Sequence, residues 1–474
     1  MLNRSGLLYL SARVMSAAGN FVAVAIFSRM AGPAEYGHYV LIFAWSLIVY
    51  GFGAQWMRFA YFGVYHLDRF GEYIASLARL LAAGLVLVAL ALSVIGLFGW
   101  FEPGFLAAVF ALVCGITVYE ATFEAARTLL NARGASLAMI LRALLVLLFG
   151  SGSLHFGGGA RGLAIAIALA HVIAAAPTLT GFSKVRLSQS TRAAALHIVS
   201  YGWPLLLSFG VTAVGQSVDR LLLAHYLGMV ALGSYGVVAD VLRQSFTVLG
   251  ESIILSLVTV AKTQSNRGDS LAANETLQKA FTACLAAACF GTAFFIVFGD
   301  TALQIVLKPE FVAPMRDLIP IFAIAFAFTT MRNFYFAQVI YFSNASYLEL
   351  VIAVLFLVVS TTLSMLLVPR YGPHGAAVAL MAACTFTCFG FMVPGRRRFR
   401  MPVDLAALVV MPTLAALSIF GAHAMQQLVA DAAARLTLDA ALFAVLGGYA
   451  IRHFGLLHLP AAEIVADGAT LAQQ

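Results

Sequence analysis

The sequence has very little charge. Only 10% of its 474 residues are Asp, Glu, Lys or Arg, whereas soluble domains carry about 25%. Hydrophobic residues make up 62% of the chain, compared with about 45–50% in soluble domains. These fractions exclude a soluble globular protein, a disordered chain and a disulfide-rich secreted fold. Most of the chain is therefore expected to lie in lipid.

Cysteine is scarce, and sequence signatures of catalysis are missing. The five cysteines lie inside apolar runs without a Cys-x-x-Cys pair, so they predict packing between helices and no metal site. The sequence has no Walker A lysine loop and no HExxH helix. No long loop interrupts the apolar runs, which leaves no room for an inserted catalytic domain. We expect no catalytic residue, no cofactor and no metal.

Apolar runs long enough to cross a bilayer follow one another along the chain. A spanning helix needs about 20 predominantly apolar residues. The sequence predicts an all-α polytopic membrane protein with about fourteen such helices. The predicted spans are 7–28, 38–58, 76–99, 104–126, 136–156, 162–182, 198–222, 232–260, 277–299, 317–341, 346–368, 375–394, 404–426 and 436–452.

The basic residues show how these spans are oriented. The formal net charge is +8, which in a soluble protein would suggest nucleic acid. Here, most of the Lys and Arg residues fall in the loops of one side if the N-terminus is cytoplasmic, as the positive-inside rule requires. The sequence therefore predicts a multi-pass membrane protein with both termini cytoplasmic and no nucleic-acid partner.

Two parts of the chain resemble each other in sequence. The matching segments lie at corresponding connections of the two halves: 17–22 with 213–218, 32–39 with 228–235, and 159–164 with 372–377. They predict an N-terminal six-helix lobe over 1–190 and a second over 195–400. Two further helices and a short cytoplasmic tail follow in 401–474. An even number of helices in each half gives a parallel repeat, and such repeats enclose a central cavity with a substrate site near the bilayer midplane.

Short motifs in these connections resemble a known family. The segment 28–39, Ser-Arg-Met-Ala-Gly-Pro-Ala-Glu-Tyr-Gly-His-Tyr, resembles the first-loop signature of bacterial polysaccharide transporters. The segment 201–204, the pair Asp219-Arg220 and the segment 371–377 resemble later signatures of the same family. These proteins are the lipid-linked oligosaccharide flippases of the multidrug/oligosaccharidyl-lipid/polysaccharide (MOP) exporter superfamily. The resemblance covers residues 1–400.

The resemblance implies a function. Such a transporter would move an undecaprenyl-pyrophosphate-linked oligosaccharide across the bacterial inner membrane for exopolysaccharide, capsule or O-antigen synthesis. It would work by alternating access, with coupling to a proton or sodium gradient. Its partners would be the lipid-linked glycan, membrane lipids, a polysaccharide polymerase and glycosyltransferases. The alternative is a cation-coupled multidrug exporter of the same superfamily, and a membrane-embedded polymerase or glycosyltransferase is a weaker third interpretation.

Charges inside the spans are the candidate site residues. Each costs about 2.5–3.5 kcal/mol on insertion scales, so it is expected to face a cavity or a partner. Arginine offers a planar fork of donors that suits pyrophosphate oxygens. The candidates for the head-group site are Arg13, Arg142, Arg243 and Arg332. Polar residues expected to line the cavity with them are Ser16, Asn20 and Asp240.

The acidic residues within the spans allow two interpretations. Glu120, Glu124 and Glu251 are candidates for carrying the coupling ion, since a partly desolvated carboxylate can take up a proton. The other interpretation is structural pairing, because Glu124 with Arg127 and Asp240 with Arg243 have the i,i+3 spacing of helix neighbours. The pair Asp219 and Arg220 is expected to have a structural or gating role. His171 is expected to be a hydrogen-bonded packing residue.

Overall fold

The computed structural model describes residues 4–129, 131–179, 185–343 and 347–456. Within these residues every regular element is a helix, and two compact units are present, one ending at Val237 and the other beginning at Val238. The tail predicted to follow the last helix lies largely outside the described residues. Each unit is a bundle of long apolar helices, as the composition requires.

The helices of the first unit include the first predicted lobe and the helix that follows it. They are α1 (Arg4–Met30), α2 (Pro33–Tyr50), α3 (Trp56–Val64), α4 (Phe70–Leu97), α5 (Pro103–Thr128), α6 (Ala132–His155), α7 (Gly159–Ala174), α8 (Ala176–Leu179), α9 (Arg192–Gly215) and the beginning of α10 (Val218–Ile253). A π-helical turn, Gly51–Gln55, joins α2 to α3. Helix α9 packs against α3 and α4, with Phe59 and Phe209 stacked at 4.6 Å between ring centroids.

The second unit contains the rest of α10 and all later helices. These are α11 (Thr259–Asn266), α12 (Ser270–Val306), α13 (Pro309–Val312), α14 (Ile319–Phe334), α15 (Val339–Ser343), α16 (Tyr347–Arg398), α17 (Leu405–Leu428) and α18 (Ala432–His453). A second π-helical turn, Ile254–Val258, joins α10 to α11. The core of this unit is built on α12, α14 and α17, where Phe281, Tyr335 and Met411 are almost completely buried.

The described residues contain 12 helical segments that are long and apolar enough to cross a membrane. Two of them, 192–253 and 347–393, have 62 and 47 residues, which corresponds to about 90 Å and 70 Å of helix against a bilayer core of about 30 Å. Each is interrupted by a glycine with positive φ, Gly228 at 78° and Gly372 at 56°. Each therefore has the length of two spans, and the predicted count of about fourteen holds as an approximation.

The matched segments of the repeat agree in backbone conformation at one connection and differ at another. Gly159 and Gly372 both have positive φ, 60° and 56°, a region that favours glycine. Gly228 also has positive φ, whereas its counterpart Gly32 is extended at φ −77°. The division into lobes at 190–195 remains a prediction from sequence similarity.

Two matched glycines of the repeat bring α2 and α10 into backbone contact inside the first unit. A Cβ atom on Gly37 would overlap the carbonyl oxygen of Met229, and one on Gly233 would overlap the carbonyl oxygen of Pro33. Between membrane helices, such small residues allow the close packing that replaces the hydrophobic effect. These two glycines therefore determine how closely the two helices approach.

We expect Gly37→Ala and Gly233→Ala each to lower the thermal stability of the purified protein by the equivalent of about 1–3 kcal/mol, because the added methyl group forces the backbones apart. Gly32→Ala is the matched control, since a Cβ there has nothing within 4 Å and its extended backbone suits alanine. The measurement is the unfolding midpoint in detergent. Equal midpoints for Gly37→Ala and Gly32→Ala would contradict the contact.

Candidate functional site

The predicted site residues are distributed over both compact units. The first unit contains Arg13, Ser16, Asn20, Glu120, Glu124, Arg142, Asp219 and Arg220, and the second contains Asp240, Arg243, Glu251 and Arg332. Among the described residues, no group of three or more His, Cys, Asp or Glu residues is arranged to hold a metal ion. Each unit is described in turn.

Arg142 connects α6 to α1 in the first unit. Its Nη2 donates to the hydroxyl of Ser16 at 3.3 Å, and its guanidinium lies over the ring of Tyr119 at 5.2 Å. Among the described residues, no carboxylate oxygen lies within 4.0 Å of Arg142, and its buried Nε has no hydrogen-bond partner. The structure thus brings together two of the predicted residues, Ser16 and Arg142, around an uncompensated positive charge.

The ring of Tyr119 separates Arg142 from His171. Tyr119 meets His171 edge to face at 5.5 Å between centroids, and His171 Nδ1 is 2.8 Å from the carbonyl oxygen of Ile167. This arrangement is the packing role expected for His171. On α1, Arg13 and Asn20 are half-buried, whereas Ser16 is buried.

The acidic residues of α5 form a network of ion pairs. Glu120 pairs with Nη1 of Arg58, the same nitrogen is 3.8 Å from Glu124, and Arg127 Nη1 is 3.2 Å from Glu124. The Glu124 side chain is only 4% exposed, so its charge depends on these two arginines. The i,i+3 pair predicted from the spacing of Glu124 and Arg127 is present.

Arg58 is the residue of this network that sequence reasoning missed. The predicted span 38–58 ends at this residue, so the positive-inside pattern places Arg58 among the basic residues of the cytoplasmic side. The structure places it early in α3, directly after the π-helical turn Gly51–Gln55, with its side chain 15% exposed. Helix periodicity cannot show that α3 lies beside α5. The signal available was the spacing of Glu120 and Glu124, which predicts two acids on one face and hence a cation opposite them.

The region around Arg58 also contains a buried hydroxyl without a partner. Tyr50 OH is buried and has no hydrogen bond among the described residues. It is near enough to Arg58, Glu120 and Glu124 to interact electrostatically with them. A π-helical turn separates Tyr50 from Arg58, and such turns are frequent at functional sites. The first unit therefore holds an overall neutral charge network beside an irregular helix segment.

Asp219 and Arg220 begin α10 in the first unit, and both are 7% exposed. Asp219 accepts hydrogen bonds from the backbone N–H of Arg220 and from the hydroxyl of Tyr235, each at 2.8 Å. Gly228 interrupts α10 between Asp219 and Tyr235. The hydrogen bond therefore links the helix segments before and after this kink. These contacts support the structural part of the predicted role.

In the second unit, Arg243 forms an ion pair, whereas Arg332 has no carboxylate oxygen within 4.0 Å among the described residues. Arg243 Nη2 is 2.7 Å from Asp240 Oδ1, with the two side chains 41% and 19% exposed. This is the second i,i+3 pair that the spacing predicted. Glu251, on the same helix, is half-buried.

Arg332 lies near the C-terminal end of α14 and is held by neutral groups. Its Nε donates to Asn333 Oδ1 at 2.8 Å and its Nη1 to the Thr387 hydroxyl at 3.1 Å, while Phe356 lies 5.4 Å from the guanidinium. Among the described residues, no carboxylate oxygen is within 4.0 Å of Arg332, although Glu349 is near enough to interact with its charge. Arg142 and Arg332 thus share one kind of environment: a hydroxyl that accepts a hydrogen bond, an aromatic ring and no ion pair within the described part of the chain.

An apolar cavity of about 300 Å³ lies along α14 in the second unit, whereas Arg332 on the same helix contacts Thr387 and Phe356 of α16. Phe328 and Met331 of α14 line it, together with residues of α12 and α17. Its lining residues are Leu285, Ala288, Cys289, Thr292, Ile324, Ala327, Phe328, Met331, Pro412, Ala415, Ala416 and Ile419. Helix α14 thus carries both an arginine held by neutral groups and one wall of an apolar cavity.

We expect Arg58→Ala to destabilise the protein by about 3 kcal/mol, because it leaves Glu120 and Glu124 without their common partner in a low-dielectric environment. Arg127→Ala is the matched control, since the Arg127 side chain is 46% exposed and an exposed pair contributes about 0–1 kcal/mol. Adding Glu120→Gln to Arg58→Ala removes one uncompensated charge and is expected to restore part of the loss. Unfolding midpoints measure both effects, and similar losses for Arg58→Ala and Arg127→Ala would contradict the network.

Comparisons with known proteins identify the fold. No protein-family model matches the chain, and no curated protein matches it significantly in sequence. Among solved structures, the chain is similar to the lipid II flippase MurJ in an inward closed conformation, with a TM-score of 0.71 and 12% identity over 94% of this chain and 99% of that chain.

Multidrug transporters have the same architecture. An inward-facing multidrug resistance MATE family transporter of the MOP superfamily matches with a TM-score of 0.58 and 13% identity, over 84% of this chain and 98% of that chain. A MOP superfamily transporter from Pyrococcus furiosus matches with a TM-score of 0.51 and 15% identity, over 84% of this chain and 96% of that chain. The resemblance drawn from the sequence is confirmed at the level of the fold: this is a multi-pass membrane protein with the fold of the MOP superfamily.

Proposed function

We propose that this protein is a flippase that translocates an undecaprenyl-pyrophosphate-linked oligosaccharide across the bacterial plasma membrane by alternating access. The fold it shares with a lipid II flippase and with MATE transporters supports a membrane transporter. The reaction involves no covalent chemistry, since the substrate leaves as it entered. The polysaccharide polymerase and glycosyltransferases that use and supply this substrate are its proposed partners.

The observation that carries this proposal is that Arg142 and Arg332 form no ion pair among the residues the structure describes. Arg142 and Arg332 each hold a full positive charge inside an apolar helix, at several kcal/mol of desolvation cost. Arg243, by contrast, is balanced by Asp240. A phosphate group that meets an unbalanced guanidinium gains charge-assisted, bidentate hydrogen bonds and offsets that cost. Arg142 and Arg332 are therefore the best supported of the four head-group candidates.

The apolar cavity along α14 supports a lipid-linked substrate. A polyprenyl chain is wholly apolar, and each buried CH₂ group contributes about 0.8 kcal/mol. The cavity lies between α12, α14 and α17, and Phe328 and Met331 line it on the helix that also carries Arg332. The second unit therefore offers an apolar site for part of a lipid chain.

Export of cationic drugs is the second candidate function, because MATE transporters have the same fold. The charges in the spans favour the first candidate. Helix α1 carries Arg13 and no acidic residue, and the two arginines that form no ion pair among the described residues would repel a cationic substrate. Glu120 and Glu124 both pair with Arg58, but Glu124 also pairs with Arg127 and its side chain is 4% exposed, whereas that of Glu120 is 27% exposed. We propose Glu120 as the carboxylate that takes part in coupling to a proton or sodium gradient.

Deletion of the gene is expected to cause an undecaprenyl-linked glycan to accumulate in the cytoplasmic leaflet, because the intermediate is made there and is no longer moved. Extraction of lipid-linked intermediates, with a probe for the leaflet they occupy, measures this. Unchanged intermediates together with new sensitivity to a cationic drug would reject the flippase and support the multidrug exporter.

We expect Arg332→Ala and Arg142→Ala each to reduce glycan export at least about 10-fold at unchanged protein level, since a lost charge-assisted contact is worth about 1.5–3 kcal/mol. Lysine at either position keeps the charge without the fork, so partial export is expected. Arg161→Ala is the matched control, because Arg161 is an exposed arginine paired with Glu102. Normal export by both Ala variants would remove these arginines from the site.

A further inference from the structure

A second pocket of about 600 Å³ lies in the second unit, apart from Arg332 and from the apolar cavity along α14. It is formed by the C-terminal part of α12, the beginning of α14, the end of α17 and the first turns of α18. Its polar lining residues are Asp300, Thr301, Arg316, Gln426, Arg435 and Asp439. Neither the MOP fold nor the proposed head-group site assigns a role to these residues.

Asp439 is the residue of this pocket that most needs an explanation. It lines the pocket while only 8% of its surface is exposed, and its Oδ1 is buried with no hydrogen-bond partner among the described residues. Asp439 has no cation within 4.0 Å there. A carboxylate inside a membrane helix is costly when it lacks donors, and such residues generally mark a binding site.

The pocket also holds an arginine that forms no direct ion pair within the described part of the chain. Arg316 is engaged, since its Nε is 2.9 Å from Asp300. Arg435 has no carboxylate within 4.0 Å among the described residues, and it precedes Asp439 by one helical turn on α18. Residues i and i+4 of a helix have Cβ atoms about 5–6 Å apart, so the pocket presents one anionic and one cationic group side by side.

Neutral polar groups and an apolar wall complete the lining. The side chains of Gln426 and Thr301 have no hydrogen bond within the described part of the chain. Phe295, Ile319 and Leu436 form apolar parts of the same pocket. The occupant is therefore expected to carry both charges, several hydrogen-bonding groups and an apolar portion.

We propose that this pocket binds the amine–phosphate headgroup of a zwitterionic phospholipid, phosphatidylethanolamine, with the ammonium at Asp439 and the phosphate at Arg435. The ammonium group has three donors for the unsatisfied carboxylate, and the phosphate pairs with the guanidinium. The two carbons between amine and phosphate suit the spacing of one helical turn.

A simple cation is disfavoured by Arg435 and by the size of the pocket, because a single water or ion needs only about 30 Å³. An anion alone is disfavoured by Asp439.

The test is lipid retention by the full-length protein. The protein is purified in mild detergent, incubated with equimolar phosphatidylethanolamine, phosphatidylcholine and phosphatidylglycerol, and examined by native mass spectrometry. We expect phosphatidylethanolamine to be retained at least fivefold over phosphatidylglycerol. It should also exceed phosphatidylcholine, whose quaternary amine has no N–H to donate to Asp439. Equal retention of the three lipids would overturn the proposal.

Variants connect this preference to the pocket. Asp439→Asn is expected to abolish the preference for phosphatidylethanolamine, and Arg435→Gln to reduce retention of all three lipids. The control is Lys308→Gln with Glu310→Gln, an exposed pair outside the pocket, which should leave the preference unchanged. If Asp439→Asn does not fold, Gln426→Leu serves instead and should reduce the preference at least twofold. An unchanged preference in a folded Asp439→Asn or Gln426→Leu protein would overturn the proposal.

A soluble competitor separates the headgroup from the rest of the lipid. Free phosphoethanolamine at millimolar concentration should displace bound phosphatidylethanolamine from the wild-type protein if the amine–phosphate group itself is recognised. Glycerol 3-phosphate, which lacks the amine, is the matched competitor and should displace much less. Equal displacement by the two compounds would contradict recognition of the ammonium by Asp439.

Discussion

The cost of placing a charge in an apolar helix bundle governs the candidate site of this protein. A membrane helix gains nothing from an unpaired charge, so each charged residue in a span is expected to have a partner or a function. Arg58, Glu120, Glu124 and Arg127 satisfy this requirement through one another. Arg332 is held by a hydroxyl, an amide and an aromatic ring, which orient its guanidinium without neutralising it. The proposed function therefore rests on the arginines that neutral groups hold and that form no ion pair among the described residues.

Backbone packing provides the scaffold on which these charges are held. Lipid tails are as apolar as the helices, so helix association relies on close van der Waals contact and small residues. Gly37 and Gly233 allow such a contact between α2 and α10. Gly228 and Gly372 interrupt long helices with a backbone conformation that other residues rarely adopt. The hydrogen bond from Tyr235 to Asp219 then stabilises the first of these kinks.

The sequence predicted local relationships well and distant ones poorly. The spacing of Asp240 with Arg243 and of Glu124 with Arg127 was enough to predict both ion pairs, since helix geometry places i and i+3 side by side. The length of each apolar run predicted the spans, although the long helical segments 192–253 and 347–393, each interrupted by a glycine, make their exact number approximate. Arg58 was missed because its partners are on another helix.

By itself, the sequence determined that this is an all-helical membrane protein of the MOP fold and which few residues carry charge inside it. Composition suffices for the membrane helices, because the bilayer demands long apolar helices, whereas the MOP fold followed from the resemblance of the connection motifs to a known family. Only the tertiary structure decided which charges are neutralised and which are not. Periodicity places Arg142 and Asp439 on a face of their own helices, but the partners of a side chain depend on which helices pack beside it.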